Sequence, residues 1–219
     1  EPMQALGYER SGAQGGDWGA FIWARLGHAH PKRMVGVHLN YLPVRRDPQP
    51  GHRDWTRQLE HWTKEESGYI SIQGTKPQTL AYGLADSPAG LAAWIAEKFR
   101  GWSDAPIERD DLLANVSLYW FTGAIGSSFW PYYCRAHRGW PIPEGGTVDV
   151  PLGYAEFPKE ILRPPRSLAA RTYTGIRRWT TMPRGGHFAA LEQPGQRSHG
   201  RGSRPRQPAG RPELLRPIS

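Results

Sequence analysis

Cysteine is nearly absent from this 219-residue chain, in which Cys134 is the single example. One cysteine excludes an internal disulfide and fits a reducing compartment, so the sequence predicts a cytoplasmic location. The chain also lacks a signal peptide and any apolar run long enough to span a bilayer, and we expect no membrane partner. His28 and His30 have no cysteine or acid cluster beside them and are interpreted as a helix end, so neither a metal nor any other cofactor is expected.

Acidic residues are too few to balance the basic ones, and the net charge is +8. The excess is concentrated at the end of the chain, where residues 195–219 contain six arginines and one glutamate. This segment is rich in glycine, proline, arginine and serine and has no apolar periodicity, which predicts a disordered basic tail over 195–219. The remainder has an ordinary charge, so no nucleic-acid partner is expected.

The segment Gly15-Gly16-Asp17-Trp18-Gly19 has the spacing of a nucleophile elbow, a sharp turn between a strand and a helix. Small residues flank the nucleophile in such a turn because backbone segments approach closely there. The nucleophile position holds Asp17 where many elbows hold serine. A carboxylate attacks carbon to form an alkyl ester, which suits strained ethers and alkyl halides. As a lone observation, Asp17 would also fit an ordinary helix N-cap.

Strand and helix patterns alternate on both sides of a long helical block, which is typical of an α/β fold. The strands are predicted at Ser11–Gln14, Met34–Leu39, Thr147–Tyr154 and Arg178–Met182, and the helices near Trp55–Ile70, from Ser87-Pro88 and from Asp110-Asp111. The first strand comes very early, so we interpret the chain as beginning partway through its fold.

An ester on Asp17 must be hydrolysed, which requires a base to activate water and an acid to orient that base. His187 follows the last predicted strand in a glycine-flanked loop, the place of the histidine in chains ordered nucleophile, acid, histidine. Glu160 follows the preceding strand and is the predicted acid. Asp149 competes for that role, but it lies inside the predicted strand.

Five segments in order resemble the microsomal-type epoxide hydrolases, most closely their soluble bacterial members. They are residues 15–19, Gln-Gly-Thr-Lys-Pro-Gln-Thr at 73–79, the segment at 86–99, Phe-Pro-Lys-Glu-Ile at 157–161 and Met-Pro-Arg-Gly-Gly-His-Phe-Ala-Ala-Leu-Glu-Gln-Pro at 182–194. The resemblance covers about residues 1–194. It implies an α/β-hydrolase fold with core parts at 1–44 and 141–194 and a helical lid at 45–140.

The resemblance also implies two lid tyrosines that donate hydrogen bonds to an epoxide oxygen. Tyr69 matches the first, and Tyr132 or Tyr133 matches the second, with the ungapped register favouring Tyr132. The backbone N–H of Trp18 is the expected oxyanion donor. The implied reaction is cofactor-independent hydrolysis of a small hydrophobic epoxide by water to a vicinal diol, with xenobiotic detoxification as its physiological role.

Two other functions stay open at this stage, as does association into a homo-oligomer. A haloalkane dehalogenase shares the aspartate elbow followed by tryptophan, but it would hold a halide where the epoxide hydrolase has tyrosines. A non-catalytic fragment is the second alternative, because the strands that precede the elbow in the family, and the helix that follows Pro194, have no counterpart here. On that ground we expect the isolated chain to be poorly soluble and weakly active.

Overall fold

The computed structural model describes residues 2–45, 51–139 and 142–193. Four strands form its sheet. The strands are β1 (Ser11–Gly15), β2 (Met34–Leu39), β3 (Leu152–Glu156) and β4 (Ile176–Thr181). The helices are α1 (Pro2–Ala5), α2 (Asp17–Ala29), α3 (Arg53–Glu65), α4 (Gly68–Thr75), α5 (Pro77–Asp86), α6 (Pro88–Trp102), α7 (Arg109–Thr122), α8 (Ile125–Ser128), α9 (Trp130–Arg138), α10 (Arg166–Ala169) and α11 (Ala189–Glu192).

The sheet is parallel throughout, with strand order β1-β2-β3-β4. Buried parallel strands are apolar, and Leu39, Leu152 and Tyr154 accordingly lie in the main core beneath the sheet. Because all four strands run the same way, the loops that follow them meet at one edge. Ligands of open α/β sheets bind at this carboxyl edge.

Two predicted elements differ clearly from those in the structure, and one predicted cap is present. The strand predicted at Thr147–Tyr154 begins only at Leu152 and continues to Glu156, because Pro151 interrupts the alternation and Val148 makes only an isolated bridge to Tyr173. The helix predicted near Trp55–Ile70 is broken at Glu66-Ser67 into α3 and α4. The predicted cap of α6 is present, since Ser87 Oγ accepts a hydrogen bond from Gly90 N at 3.0 Å.

Among the described residues, the seven helices α3 to α9 lie between β2 and β3, in the range of the predicted lid. Part of this block has a core of its own, built from Ala81, Leu84, Leu91, Ile125 and Phe129. Helices α4 and α9 pack closely, with an ideal Cβ on Gly74 only 3.3 Å from the Ala136 methyl group. The division into core, lid and tail segments stays a prediction, and the tail predicted at 195–219 lies outside the described residues.

Candidate active site

Asp17 lies in the sharp turn between β1 and α2. Its φ angle is 42°, and it is the one non-glycine residue with positive φ within the described ranges. Such a backbone conformation is rare for a residue with a side chain and is characteristic of strained functional turns. An ideal Cβ on Gly15 would lie 2.8 Å from the carbonyl carbon of Gly19, and one on Gly16 would lie 2.7 Å from the side chain of Asn40. The turn therefore requires the glycines that precede Asp17.

His187 and Glu160 form a buried pair at the same edge of the sheet. His187 Nδ1 lies 2.6 Å from Glu160 Oε1, and the two side chains are 5% and 0% exposed. The loop after β3 presents Glu160 and the loop after β4 presents His187. These loops are joined by the hydrogen bond that Lys159 N donates to Gly185 O at 3.1 Å. The histidine is thus oriented by a carboxylate that is shielded from water.

The other ring nitrogen of the histidine faces the elbow. His187 Nε2 lies 3.9 Å from Asp17 Oδ2, and the Asp17 side chain is 54% exposed. This distance is longer than a hydrogen bond, as is common for catalytic contacts in structures without substrate. The Asp17 carboxylate is therefore accessible to a ligand, while His187 Nε2 lies close to one of its oxygens.

The two carboxylates change the acidity of the histidine. Burial is the largest single influence and lowers the pKa of His187, whereas the charge of Glu160, the contact with Asp17 and the hydrogen bond to Glu160 raise it. The raising influences prevail together and place the pKa at about 10 instead of 6.5. With Asp17 ionised, His187 therefore holds a proton at neutral pH.

Tyr69, in α4, and Tyr132, in α9, lie close together near Asp17. Their ring centroids are 5.6 Å apart, and the Tyr132 ring meets the Trp18 ring edge to face at 5.0 Å. Both tyrosines line one cavity of about 510 Å³ with Asp17, Trp18 and Phe21. The packing of α4 against α9 brings them there from distant parts of the sequence.

The structure distinguishes Tyr132 from its neighbour. Tyr133 is absent from the residues that line this cavity, and its ring stacks on His137 with centroids 4.1 Å apart. Consecutive helical residues point in directions about 100° apart, so only one of the two can face Asp17. Tyr132 is the tyrosine that does so.

The backbone N–H of Trp18 belongs to the first turn of α2, which starts at Asp17. N–H groups of a first turn have no carbonyl one turn earlier, and they point toward the helix N-terminus. The role of this N–H as an oxyanion donor stays a prediction. The helix dipole adds to the stabilisation of negative charge at this position.

Asp149 is not brought to the site. It lies before β3, at the opposite end of that strand from Glu160, where it accepts a hydrogen bond from the Thr174 hydroxyl. Hydrogen bonds from Thr174 and Thr147 lower the pKa of Asp149. Of the two acids considered from the sequence, Glu160 alone contacts His187.

Three contributors were not predicted from the sequence. Trp102, at the end of α6, contacts Tyr69 with its ring and accepts the His187 N–H at its carbonyl oxygen. Asp104 and Glu192 accept backbone N–H groups from the histidine loop. None of the three stands out by local spacing, although Glu192 lies in the motif that follows His187. No group of three potential metal ligands occurs in the part of the chain that the structure describes.

Comparison with known proteins identifies relatives of this chain. A protein of Stigmatella aurantiaca, provisionally named an epoxide hydrolase, is 42% identical over 212 residues, which are 91% of this chain and 47% of that protein. Epoxide hydrolase 1 of Oryctolagus cuniculus is 36% identical over 227 residues, covering 88% of this chain and 50% of the rabbit protein. No protein-family model matches the chain. The chain spans about half the length of the curated relatives it matches.

Solved structures agree with the fold described above. The juvenile hormone epoxide hydrolase of Bombyx mori has a TM-score of 0.79 and 29% identity, covering 88% of this chain and 53% of the silkworm chain. The Aspergillus niger epoxide hydrolase has a TM-score of 0.76 and 30% identity, covering 88% of this chain and 51% of the fungal chain. The fold is that of the α/β-hydrolases, as the resemblance implied.

The predicted cytoplasmic location is wrong. The relatives include microsomal and membrane-anchored epoxide hydrolases, so the family gives no support for a cytoplasmic enzyme. The prediction rested on a single cysteine and on the lack of a long apolar run, and neither feature decides the compartment. Across residues 2–45, 51–139 and 142–193, every helix is too short or too polar to reach across a bilayer.

Proposed function

Because this chain is a homologue of the epoxide hydrolases with the α/β-hydrolase fold, we propose that the whole protein hydrolyses epoxides to vicinal diols through an ester on Asp17. The observation that carries the proposal is that Asp17 lies 3.9 Å from His187, which contacts Glu160, and also lines one cavity with Tyr69 and Tyr132. Asp17, His187 and Glu160 come from three loops at the carboxyl edge of the sheet, and Tyr69 and Tyr132 come from the helices above it.

In the first half-reaction, a carboxylate oxygen of Asp17 attacks a ring carbon of the epoxide. The C–O bond of the ring breaks as the ester bond forms, and the former ring oxygen takes a proton from Tyr69 or Tyr132. Hydrogen bonds from both phenols stabilise the negative charge that develops on this oxygen in the transition state. The proton held by His187 then restores the phenol, and the histidine is left neutral.

Electrostatics of the site favour this order of events. Ionised Asp17 is one of the influences that raise the pKa of His187. Ester formation removes the negative charge of Asp17, so the pKa of His187 falls at the stage when a neutral base is needed. Glu160 retains the imidazole in an orientation with Nε2 directed at the ester.

In the second half-reaction, neutral His187 takes a proton from a water molecule, and the oxygen of that water adds to the ester carbonyl. The N–H of Trp18 stabilises the resulting oxyanion. Collapse of the tetrahedral intermediate breaks the bond to the alkyl oxygen, which leaves as the diol after taking the proton from His187. The second proton of the water remains on the Asp17 carboxyl group and passes to His187, which regenerates the carboxylate and the protonated histidine.

We infer that the substrate is a small hydrophobic epoxide. The cavity of about 510 Å³ has Trp18, Phe21 and Ile70 in its walls beside the tyrosines, and two arginines, Arg45 and Arg135, also line it. This volume is within the usual range for a site that encloses a small molecule. No feature of the described residues favours the dehalogenase alternative, which does without phenolic donors.

A direct test is to trap the ester. The protein is mixed with styrene oxide, quenched with acid within milliseconds to seconds, and digested for peptide mass mapping. We expect the added mass on the peptide that contains Asp17, and its absence in Asp17→Asn. A label on another residue, or none in a protein that turns over styrene oxide, would refute the proposal.

A further inference from the structure

Three consecutive backbone N–H groups in the loop that carries His187 donate hydrogen bonds to residues at the end of helix α6 or to Glu192, which itself binds the segment after α6. Gly185 N donates to Asp104 Oδ2 at 2.9 Å, Gly186 N donates to Glu192 Oε1 at 3.0 Å, and His187 N donates to Trp102 O at 2.8 Å. Trp102 is the last residue of α6 and Asp104 lies just beyond it, whereas Glu192 belongs to α11. The loop is therefore anchored to the helical block as well as to its own strand.

Glu192 binds both sides of this junction with one carboxylate. Its Oε1 accepts from Gly186 N, while its Oε2 accepts from Asp104 N at 2.5 Å and from Ala105 N at 3.1 Å. Hydrogen bonds to a carboxylate are about twice as strong as those between neutral groups. We use the name clasp for the three hydrogen bonds that Glu192 accepts from Gly186 N, Asp104 N and Ala105 N, together with the one that Asp104 accepts from Gly185 N.

The clasp closes a junction that has no room for side chains. An ideal Cβ on Gly186 would lie only 2.3 Å from the carbonyl oxygen of Trp102. Gly185 has a φ angle of 111°, which residues with side chains rarely adopt. Gly186 is thus explained by its contact with the end of α6, and Gly185 by its positive φ and by the Phe157 ring, which an ideal Cβ would approach to 2.7 Å.

Trp102 connects this junction to both sets of catalytic groups. Its ring lies 5.4 Å from that of Tyr69 and 5.3 Å from that of His187, measured between centroids. Its indole N–H donates to Glu66 Oε2 at 3.2 Å. A shift of the segment after α6 would consequently move Tyr69 and His187 relative to Asp17.

From these contacts we infer that Glu192 is a positioning residue, whose carboxylate holds the histidine loop against the segment after α6 and so aims His187 at the ester on Asp17. The inference rests on the proposed function. Glu192 does not touch the substrate cavity and acts only through the backbone of the loop. Its removal should slow ester hydrolysis more than ester formation, since His187 is bonded directly to the clasped segment.

The test compares Glu192→Ala and Glu192→Gln with the parent protein, and uses Asp149→Asn as the matched control. Asp149 is likewise a carboxylate that accepts a hydrogen bond, in this case from the Thr174 hydroxyl, but it lies at the end of β3 that is far from His187. Single-turnover reactions with styrene oxide give separate rates for the formation and the hydrolysis of the Asp17 ester. Amide hydrogen exchange without substrate reports on the clasp itself.

In Glu192→Ala we expect exchange on the order of tenfold faster in peptides covering 102–106 and 183–188. Ester hydrolysis should fall on the order of a hundredfold, because small misplacements of a catalytic group have effects of that size. Ester formation should change less, so that the ester accumulates. Glu192→Gln keeps one acceptor oxygen and should lie between parent and Ala, and it carries the test if the Ala variant does not fold.

The inference is overturned if both rates fall by the same factor, which would indicate only a smaller folded fraction, or if exchange rises while both rates stay at the parent level. A parent protein that forms no ester on Asp17 would refute the proposed function and this role of Glu192 together. The proposed function stands, and the positioning role alone fails, if the parent forms and hydrolyses the ester and Glu192→Ala behaves like Asp149→Asn.

Discussion

The charge of Asp17 should control the acidity of His187, and Asp17→Asn isolates that effect. Asparagine keeps the size of the side chain and tolerates positive φ better than most residues, so the turn at φ 42° should survive. The substitution removes the negative charge 3.9 Å from His187 Nε2. We therefore expect the pKa of His187 to fall.

The size of the fall follows from the distance and the exposure. Two unit charges about 4 Å apart interact by about 1 kcal/mol in water and about 4 kcal/mol at the effective dielectric constant of a protein surface. At about 1.4 kcal/mol per pKa unit, these limits correspond to roughly 0.7 and 3 units. Because half of the Asp17 side chain is exposed, we expect a shift in the lower part of this range, about 1–2 units.

Nuclear magnetic resonance titration of the His187 ring in parent and Asp17→Asn measures this shift. Asp149→Asn, which changes a remote carboxylate, should leave the pKa of His187 unchanged. The side-chain amide in Asp17→Asn occupies the position of the ester carbonyl and is therefore open to hydrolysis to aspartate by the same groups. Intact-mass measurement must show that residue 17 is still Asn after the titration. An unchanged or higher pKa of His187 in Asp17→Asn would refute the coupling on which the proposed order of steps depends.

Three further predictions concern the same groups. His187→Gln should still form the Asp17 ester but hydrolyse it on the order of a hundredfold more slowly, and Glu160→Gln should slow the hydrolysis less. Rapid-quench kinetics would refute this if the ester never accumulated in His187→Gln. Replacing Tyr69 and Tyr132 together with Phe should abolish epoxide opening in a diol assay, whereas turnover of a 1-haloalkane but no epoxide by the parent would favour a dehalogenase. The folded-state pKa of His187, about 10, lies above its ordinary value of 6.5, so the stability that His187 contributes is fully present below pH 6.5 and is lost as the pH rises through about 10. The difference in Tm between the parent and His187→Gln should therefore shrink over this pH range in thermal melts. A difference that stays constant would contradict the prediction.

Local backbone geometry could be predicted from the sequence because it depends on neighbouring residues. The glycines before Asp17 permit the close backbone approach of the strained turn. Ser87-Pro88 marks the start of α6 through a local hydrogen bond. The order of Asp17, Glu160 and His187 along the chain, each after a strand, was enough to propose them as one site. Their roles stay predictions until the reactions above are measured.

Packing between distant segments decided the rest, and no local pattern encodes it. Whether Tyr132 or Tyr133 faces Asp17 depends on the rotation of α9 against α4, and the apolar spacing of residues 55–70 did not reveal the break at Glu66-Ser67. The contacts of Glu192 with residues 104–105 join segments 87 residues apart or more, so the sequence shows two ordinary surface acids where the structure has a clasp. Periodicity and spacing describe one segment at a time, whereas the distances that make a site reactive are set between segments when the core closes.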